Sequence, residues 1–150
     1  MKSVIIYKSI HHGNTKKIAE IFSEHLNAEL VDLKDANGDM VKEYDLFGFG
    51  SGIYYRKAHK EMRQFIDNLP SVQDKNAFVF TTSGQGNPDY SSALADQVSE
   101  HGFKVIGEFS CKGFDTWGPF KLIGGTNKGK PDADDIKNAE IFIKDLIKEN

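Results

Sequence analysis

What the chain lacks already limits what it can be. It contains a single cysteine, Cys111, so it cannot form an internal disulfide. It has no run of about 18 apolar residues that would predict a membrane span, and no leader-like apolar segment opens the sequence. We therefore expect a protein of the reducing cytoplasm that has no membrane span.

The chain also lacks an excess of charge of one sign. Its formal net charge is −3 at neutral pH, and no block of like charge is long enough to form a tail. A nucleic-acid-binding surface needs a basic excess, so the composition favours small molecules and other proteins as partners and excludes nucleic acid. With 150 residues, 39% of them hydrophobic, the chain has the size of one compact domain, predicted to span residues 1–150.

Short apolar runs alternate with helical patterns along the chain. Several of these runs are continuous rather than alternating in polarity, which is typical of strands buried on both faces. The five predicted strands are Val4–Tyr7, Glu29–Leu33, Asp45–Gly50, Ala77–Thr82 and Lys104–Phe109. Helical spacing follows all but the second strand, where Lys34–Lys42 is too short and too polar to predict a helix. This alternation predicts an α/β fold, with a mostly parallel, doubly wound sheet between two layers of helices.

Residues that end and begin helices agree with this pattern. Gly102 stands where a helix-terminating glycine belongs. Pro131 and the acidic residues after it provide a stop, a candidate cap and negative charge before the last helix. The apolar face of that helix is predicted to consist of Ile136, Ala139, Ile143 and Leu146.

Three polar, glycine-rich segments fall at the carboxyl ends of predicted strands. They are residues 8–16, "KSIHHGNTK", residues 50–57, "GSGIYYRK", and residues 82–90, "TSGQGNPDY". Each segment alone could be a simple turn. Because ligands of open parallel sheets bind outside the carboxyl ends of the strands, the three together predict a binding site at that edge.

The first of these loops has the composition of a phosphate site. Gly13, Asn14 and Thr15 stand where a helix begins, and a helix start offers N–H donors and the positive end of the helix dipole. Ser9, Asn14 and Thr15 can add side-chain donors, although Asn14 or Thr15 could instead simply cap the helix. No Gly-Lys-Ser/Thr follows the spacer of a Walker motif, so nucleoside triphosphate hydrolysis is disfavoured.

The three loops, in their order and spacing, resemble those of the flavodoxin family. The matching stretches are "YKSIHHGNTKKIAE", "YDLFGFGSGIYYRKAHK" and "FVFTTSGQGN", and the likeness continues through "GKPDADDIKNAEIF". The resemblance, which is to the short-chain branch, implies a flavodoxin-like five-stranded sheet in the order 2-1-3-4-5, carried over from that family. It also implies flavin mononucleotide (FMN) as the cofactor.

The resemblance assigns a part of the cofactor to each loop. The first loop would hold the phosphate, Tyr54 would stack on the isoalloxazine ring with Tyr55 as the alternative, and the third loop would approach the pyrimidine edge of the ring. No catalytic residue and no metal ligand is predicted. The predicted cofactor-binding residues are Ser9, His11, His12, Gly13, Asn14, Thr15, Ser51, Gly52, Ile53, Tyr54, Tyr55, Arg56, Ser83, Gly84, Gln85, Gly86 and Asn87.

The chain departs from the family's pattern in the first loop. His11 and His12 stand where hydroxyl or small residues are usual, so that one of them contacts the phosphate or both are exposed loop positions. Adjacent histidines without further ligands nearby do not favour a zinc site.

The other loops depart as well. Tyr55 stands where many family members have a glycine whose peptide flips toward the flavin. Arg56 and Lys57 follow, where dedicated carriers tend to be acidic. Pro88 stands near the usual outer stacking tyrosine, which leaves Tyr90 as a substitute or, slightly favoured, as a core residue.

The segment of residues 111–125, "CKGFDTWGPFKLIGG", is predicted to be a packed loop that could reach the rim of the flavin. Within it, Cys111 is predicted to be a buried small hydrophobic residue.

Three functions are consistent with these residues. The first is a low-potential electron carrier that works with redox partner proteins, as a monomer in preference to a homodimer. The second is an NAD(P)H-dependent flavin or quinone reductase of the same fold, and the third is a non-redox binding module. A receiver domain is disfavoured, because Tyr7–Ser9 lacks the acidic residue that such a domain phosphorylates.

Overall fold

A computed structural model of the chain describes residues 1–9, 13–113 and 131–149. Strands and helices alternate through these residues, with two short 3-10 helices, Leu33–Asp35 and Gly38–Lys42, in the crossover where no α-helix was predicted. The remaining elements are β1 (Ser3–Lys8), α1 (Asn14–Leu26), β2 (Glu29–Asp32), β3 (Leu46–Tyr54), β4 (Lys57–Ala58), α2 (Lys60–Asp67), β5 (Asn76–Ser83), α3 (Pro88–Glu100), β6 (Lys104–Lys112) and α4 (Ala133–Glu149).

Five strands form a parallel sheet in the order β2-β1-β3-β5-β6, and β4 pairs antiparallel with the end of β3. Counted without the two-residue β4, this is the predicted order 2-1-3-4-5, and the doubly wound α/β fold is confirmed. The prediction ended the third strand at Gly50. In the structure β3 continues to Tyr54, because its last residues find pairing partners in β5 and β4.

The sheet separates two hydrophobic clusters. Phe47, Phe49 and Val79 pack on one face with residues of α2 and α3, and Phe78 and Phe80 pack on the other with residues of α1 and α4. Strands β1, β3 and β5 are buried almost throughout, which confirms the interpretation of their continuous apolar runs, whereas the edge strand β6 is largely half-buried or exposed.

Close approach of aromatic rings explains the glycines in the middle of β3. A Cβ atom added to Gly48 would lie 2.6 Å from the ring of Phe78, and one added to Gly50 would collide with the ring of Phe80. Phe22 of α1 packs edge-on against both rings, with centroid distances of 5.6 and 5.0 Å. The rings of β5 therefore occupy the space over β3, and α1 packs directly on them.

The predicted helix boundaries are also present. Gly102 follows α3 with φ +99°, a conformation that glycine adopts without strain. Asp132 Oδ1 accepts hydrogen bonds from the backbone N–H groups of Asp134 and Asp135, so the acidic cluster caps α4 as predicted. Ile136 was wrongly predicted to face the core: it is 36% exposed, because it lies in the first turn of α4, before the helix reaches the sheet.

Cys111 is buried in the cluster that contains Phe22, Phe78 and Phe80, which confirms its prediction as a small hydrophobic residue. Most of the predicted packed loop, including Trp117, lies outside the described residues. Among the helices described, none has both the length and the apolarity needed to cross a membrane.

Candidate functional site

The carboxyl ends of β1, β3 and β5 bring the three predicted loops to one edge of the sheet. Lys8 of β1 pairs with Ser51 of β3, and Gly52 of β3 pairs with Thr82 of β5. Adjacent strands of a sheet lie about 4.8 Å apart, so the three loops begin within about 10 Å of one another. The structure therefore unites the segments that the sequence separates by tens of residues.

The start of α1 has little that could compete with an anion. Its N-cap residue, Gly13, has φ +64° and no side chain, and within the described part of the chain a Cβ atom added there would meet nothing within 4 Å. The backbone N–H of Lys16 donates to Ser9 Oγ over a long 3.3 Å. The first turn of α1 contains no acidic residue, and the exposed Lys16 and Lys17 add positive charge. His11 and His12 lie outside the described residues, so their predicted phosphate contact stays a prediction.

A buried hydroxyl pair joins the first loop to the third. Thr15 Oγ1 and Thr82 Oγ1 are 2.8 Å apart, and the two residues are only 1% and 4% exposed. Thr82 was absent from the predicted site residues, although a threonine pair directly after an apolar strand is a signal that could have suggested it. The bond holds the first turn of α1 against the end of β5.

The two adjacent tyrosines of the second loop point to different surroundings. Tyr54 is half-buried and lies over Gly52: a Cβ atom added to Gly52 would be 2.7 Å from Tyr54 Oη. Tyr55 is 84% exposed. The structure thus places Tyr54 against the sheet edge and Tyr55 in solvent, which is the arrangement expected if Tyr54 is the stacking residue.

A tight turn replaces most of the predicted second loop. Ile53 and Tyr54 pair with Ala58 and Lys57, so Tyr55 and Arg56 alone connect β3 to β4. Their φ values of 52° and 66° fit a two-residue type I′ hairpin turn. Where many flavodoxins have a flexible glycine, this chain holds a tyrosine in the left-handed conformation.

His59 supports Tyr54 from beside the hairpin. The two rings meet edge-on, with centroids 5.1 Å apart. His59 Nδ1 accepts a hydrogen bond from the backbone N–H of Glu61 and thereby caps α2, while its own backbone N–H donates to Ser51 Oγ. His59 was not among the predicted site residues, although its place two residues before Glu61, at the start of a helical pattern, was a usable signal for an N-cap.

Burial, and after it the neighbouring cations, favour the neutral form of the His59 imidazole. Burial lowers the pKa of His59 below its ordinary value of 6.5, and the cations Lys8 and Arg63 lower it further, against the opposing effect of Glu61. Lys8 Nζ lies 2.9 Å from Glu61 Oε2, and this contact lowers the pKa of the Glu61 carboxyl. A neutral ring retains the Nδ1 lone pair that the cap of α2 requires.

Internal hydrogen bonds shape the third loop. Ser83 Oγ accepts from the backbone N–H of Gly86 at 2.7 Å, and the hydroxyl of Tyr90 donates to Gln85 Oε1 at 2.9 Å. Asn87 is the N-cap of α3, so its side chain is engaged with the helix. Tyr90 lies in the first turn of α3, is half-buried and belongs to neither core cluster, so its interpretation as a core residue was wrong.

The end of β6 also reaches the site. The backbone N–H of Gly113 donates to the carbonyl of Ser83, and a Cβ atom added to Gly113 would lie 2.5 Å from Asn14 Nδ2. Only a residue without a side chain fits between the first and third loops at this position. Gly113 was not predicted, because its role depends on a contact 99 residues away in the sequence.

Ser51 takes part in the site through the protein's own hydrogen bonds. It is fully buried, its hydroxyl donates to the carbonyl of Gly52 at 2.6 Å, and it accepts from the backbone N–H of His59. Its predicted contact with a cofactor, like those of the other predicted residues, stays a prediction.

Comparisons of the sequence with known proteins agree on one family. A family model described as a flavodoxin domain matches residues 4–111. A curated protein of Methanocaldococcus jannaschii, itself uncharacterised, is 45% identical over 150 residues, with 99% of each chain covered. A flavodoxin of Haemophilus influenzae is 26% identical over 115 residues, which are 68% of this chain and 65% of that protein.

Solved structures show the same fold at low sequence identity. A flavodoxin from the domain Archaea superposes with a TM-score of 0.77 at 21% identity, covering 99% of this chain and 98% of that one. The flavodoxin of Streptococcus pneumoniae TIGR4 superposes with a TM-score of 0.75 at 16% identity over both full chains.

Proposed function

This chain belongs to the flavodoxin family, and from that premise we propose that it binds one FMN noncovalently and carries electrons between redox partner proteins. The observation that carries the proposal is the start of α1, where a helix begins without an acidic residue, behind a glycine that leaves its space open. The positive end of a helix in this state suits a phosphate group.

The residues present fit the phosphate end of FMN. Ser9 and Thr15 bring hydroxyl groups to the start of α1, and Lys16 and Lys17 add charge. Gly13 allows close approach, because a Cβ atom added there would meet no atom of the described residues within 4 Å. These groups would bind the phosphate of FMN and have nothing to bind in riboflavin, which lacks it.

The residues also fit the ring end of FMN. Tyr54 presents a half-buried aromatic side chain at the sheet edge, and His59 holds it in place. The third loop, shaped by its own hydrogen bonds, would approach the pyrimidine edge of the ring with backbone donors. The flavin supplies the redox chemistry, so the chain's task is to bind it, orient it and tune it.

A second function has one observation in its favour. Arg56 and Lys57 are exposed beside the proposed ring site, where a dedicated carrier tends to be acidic. Such cations suit the phosphates of a nicotinamide nucleotide, so an NAD(P)H-dependent reductase is the alternative.

Absorption spectroscopy of the purified protein, with and without added FMN, tests the proposal. We expect a bound flavin spectrum, and an affinity for FMN at least 100-fold above that for riboflavin, since the phosphate contributes most of the binding. Equal affinities, or no binding of either, would refute the proposal. Rapid oxidation of NADH or NADPH by the FMN-loaded protein would favour the reductase.

Fluorescence tests the assignment of the stacking residue. An aromatic ring against the isoalloxazine quenches flavin emission, so Tyr54→Ala should weaken binding and restore emission in the remaining complex. Tyr55→Ala is the matched control, one residue away and exposed. Recovery of emission in the Tyr55 variant alone would assign the stacking role to Tyr55.

A further inference from the structure

The turn between β3 and β4 presents an aromatic ring to solvent. We name residues Tyr55, Arg56 and Lys57 the hairpin tip. Among the described aromatic side chains, Tyr55 alone is exposed, at 84%, and all the others are buried or half-buried. Tyrosine and arginine are the residue types that most often contribute binding energy at the centres of protein interfaces.

The backbone of the hairpin tip is strained for the residues that it carries. A type I′ turn needs positive φ at both central positions, which Asn-Gly provides at little cost. Tyr55 and Arg56 adopt φ values of 52° and 66° without that advantage. A strained conformation kept in an exposed turn is a sign that its side chains serve a function outside the fold.

The hairpin tip is also the start of a basic surface. Arg56, Lys57 and Lys60 are exposed, and the first acidic residue after them, Glu61, is engaged by Lys8 at 2.9 Å. Lys112, at the end of β6, and the two lysines of α1 lie at the same edge of the sheet. The acidic residues at that edge lie farther from the hairpin tip: they are Asp32 and Asp35 at the end of β2, Asp89 of α3, and Asp132, Asp134 and Asp135 at the start of α4.

The basic surface around the hairpin tip contrasts with the negative charge of the chain as a whole. The formal net charge is −3, and many acidic residues lie at the opposite edge, where strands begin. Examples there are Glu29, Glu43, Asp45, Asp74 and Glu100. The exposed Arg56, Lys57 and Lys60 give this turn a local excess of positive charge within a negative chain, which suits an acidic partner.

We propose that the hairpin tip is the docking surface for a redox partner whose own electron-transfer face is acidic. The proposal rests on the proposed function, because it places the partner beside the flavin. Tyr55 directly follows Tyr54, so a partner seated on the hairpin tip would lie next to the ring that Tyr54 holds. Charges around such a contact raise the association rate and orient the encounter.

Two haem proteins of opposite charge can serve as probes. The FMN-loaded protein, reduced with dithionite, is mixed with an acidic b-type cytochrome or with a basic c-type cytochrome, each in the ferric form. One electron leaves the reduced flavin for each ferric haem that becomes ferrous. Stopped-flow absorbance at ionic strengths between about 10 and 500 mM gives the second-order rate constant for electron transfer to the cytochrome. The rate constant is calculated from the concentration of protein that holds flavin.

We expect the rate constant with the acidic cytochrome to fall as salt increases, because salt screens the attraction. The double variant Arg56→Glu/Lys57→Glu should lower that rate constant about tenfold at low salt and raise the one with the basic cytochrome. A changed flavin potential would move both rate constants in the same direction, so the opposite directions identify docking.

A charge-matched control lies at the other edge of the sheet. The double variant Lys42→Glu/Lys104→Glu alters the net charge equally at exposed positions before β3 and at the start of β6. We expect it to change the rate constants less than twofold. A second variant, Tyr55→Ser, should slow transfer to the acidic cytochrome without altering its salt dependence.

Each contrary outcome has a separate meaning. If the protein takes up no FMN, the proposed function fails before the docking proposal is reached. If FMN binds and electrons flow, but salt does not slow transfer to the acidic cytochrome, the docking proposal is wrong. The docking proposal is also overturned if both double variants slow transfer equally, or if the hairpin tip is required for reduction by NADPH instead.

Discussion

The helices α1 and α3 both begin at the carboxyl edge of the sheet, yet their first turns are built in opposite ways. α3 starts with Asn87, whose Oδ1 accepts the backbone N–H of Asp89 at 2.9 Å, and Asp89 adds negative charge. α1 starts with Gly13, lacks an acidic residue in its first turn and carries two lysines there.

The difference separates a helix that is stabilised by its own sequence from one that is suited to a ligand. A capping side chain contributes about 1 kcal/mol, and an acidic residue near the positive end of the dipole adds to it. α4 is built like α3, with Asp132 as its cap. α1 forgoes these contributions at the place where the family resemblance predicts a phosphate, so a bound anion would supply what its sequence omits.

The largest expected effect comes from making α1 resemble α3. Gly13→Asp would put a negative charge about 5 Å from the phosphate, which costs about 3 kcal/mol per unit charge at an effective dielectric near 20. The dissociation constant for FMN should therefore rise about 100-fold. Titration of flavin fluorescence with the purified variant measures it.

Gly13→Asn is the matched control for this change. It has nearly the same shape and the same tolerance for positive φ, without the charge. We expect it to bind FMN at least tenfold more tightly than Gly13→Asp does. Equal losses in the two variants would show that shape, and not charge, matters at Gly13.

The second prediction concerns what holds α1 in place without a cap. Thr15→Val removes the partner of the buried Thr82 hydroxyl, so the free energy of unfolding should fall by about 1–3 kcal/mol. The double variant Thr15→Val/Thr82→Val leaves no buried hydroxyl there and should recover part of the loss. Urea denaturation of the wild-type protein, the single variants Thr15→Val and Thr82→Val, and the double variant gives the coupling energy. Strictly additive losses would mean that the two hydroxyls do not interact.

The third prediction concerns α3. Asn87→Ala removes its cap and should lower the free energy of unfolding by about 1 kcal/mol, measured by urea denaturation. Asn87→Asp keeps a capping oxygen and should retain most of the stability. If alanine is tolerated as well as aspartate, α3 does not depend on its own cap, and the contrast with α1 loses its energetic basis.

The smallest expected effect lies in α2, whose cap can be protonated. The pKa of His59 is lowered in the folded protein, so the unfolded chain takes up a proton first as the pH falls through 6.5. The stability that His59 contributes is therefore present above pH 6.5 and is lost as the pH falls toward the lowered pKa. Urea denaturation between pH 7.5 and 5 measures this loss.

The variant His59→Asn retains a capping oxygen but does not titrate. We expect the variant to lose less stability than the wild-type protein does over the same pH range. Identical pH profiles would show that His59 does not account for the loss.

Much of the fold and part of the site could be predicted from the sequence. Short apolar runs, several of them continuous, identified the five strands of the parallel sheet, and Gly102 and the aspartates before α4 identified helix boundaries. The three loops were predicted to meet at one edge because parallel strands place their carboxyl ends together. Each of these inferences uses a local pattern and a general rule of parallel sheets.

Other features depended on contacts between distant residues. The extension of β3 to Tyr54 requires β5 and β4 as pairing partners, and the position of Gly113 requires Asn14 beside it. Of the two interpretations of Tyr90, the core residue was preferred because of its place at the start of the helix, but in the structure its hydroxyl donates to Gln85 in the loop. A periodic pattern cannot show which partner a side chain will meet.

By itself the sequence determined the alternation of strands and helices, the burial of the main strands, the end of α3 at Gly102, the cap of α4 and the composition of the three loops, because each depends on residues close together in the chain. Only the tertiary structure decided that Thr15 meets Thr82, 67 residues away, and that Tyr54 turns to the sheet edge while Tyr55 faces solvent. The physical reason is that strand pairing and side-chain packing contribute no stabilising free energy until the distant segments are brought together.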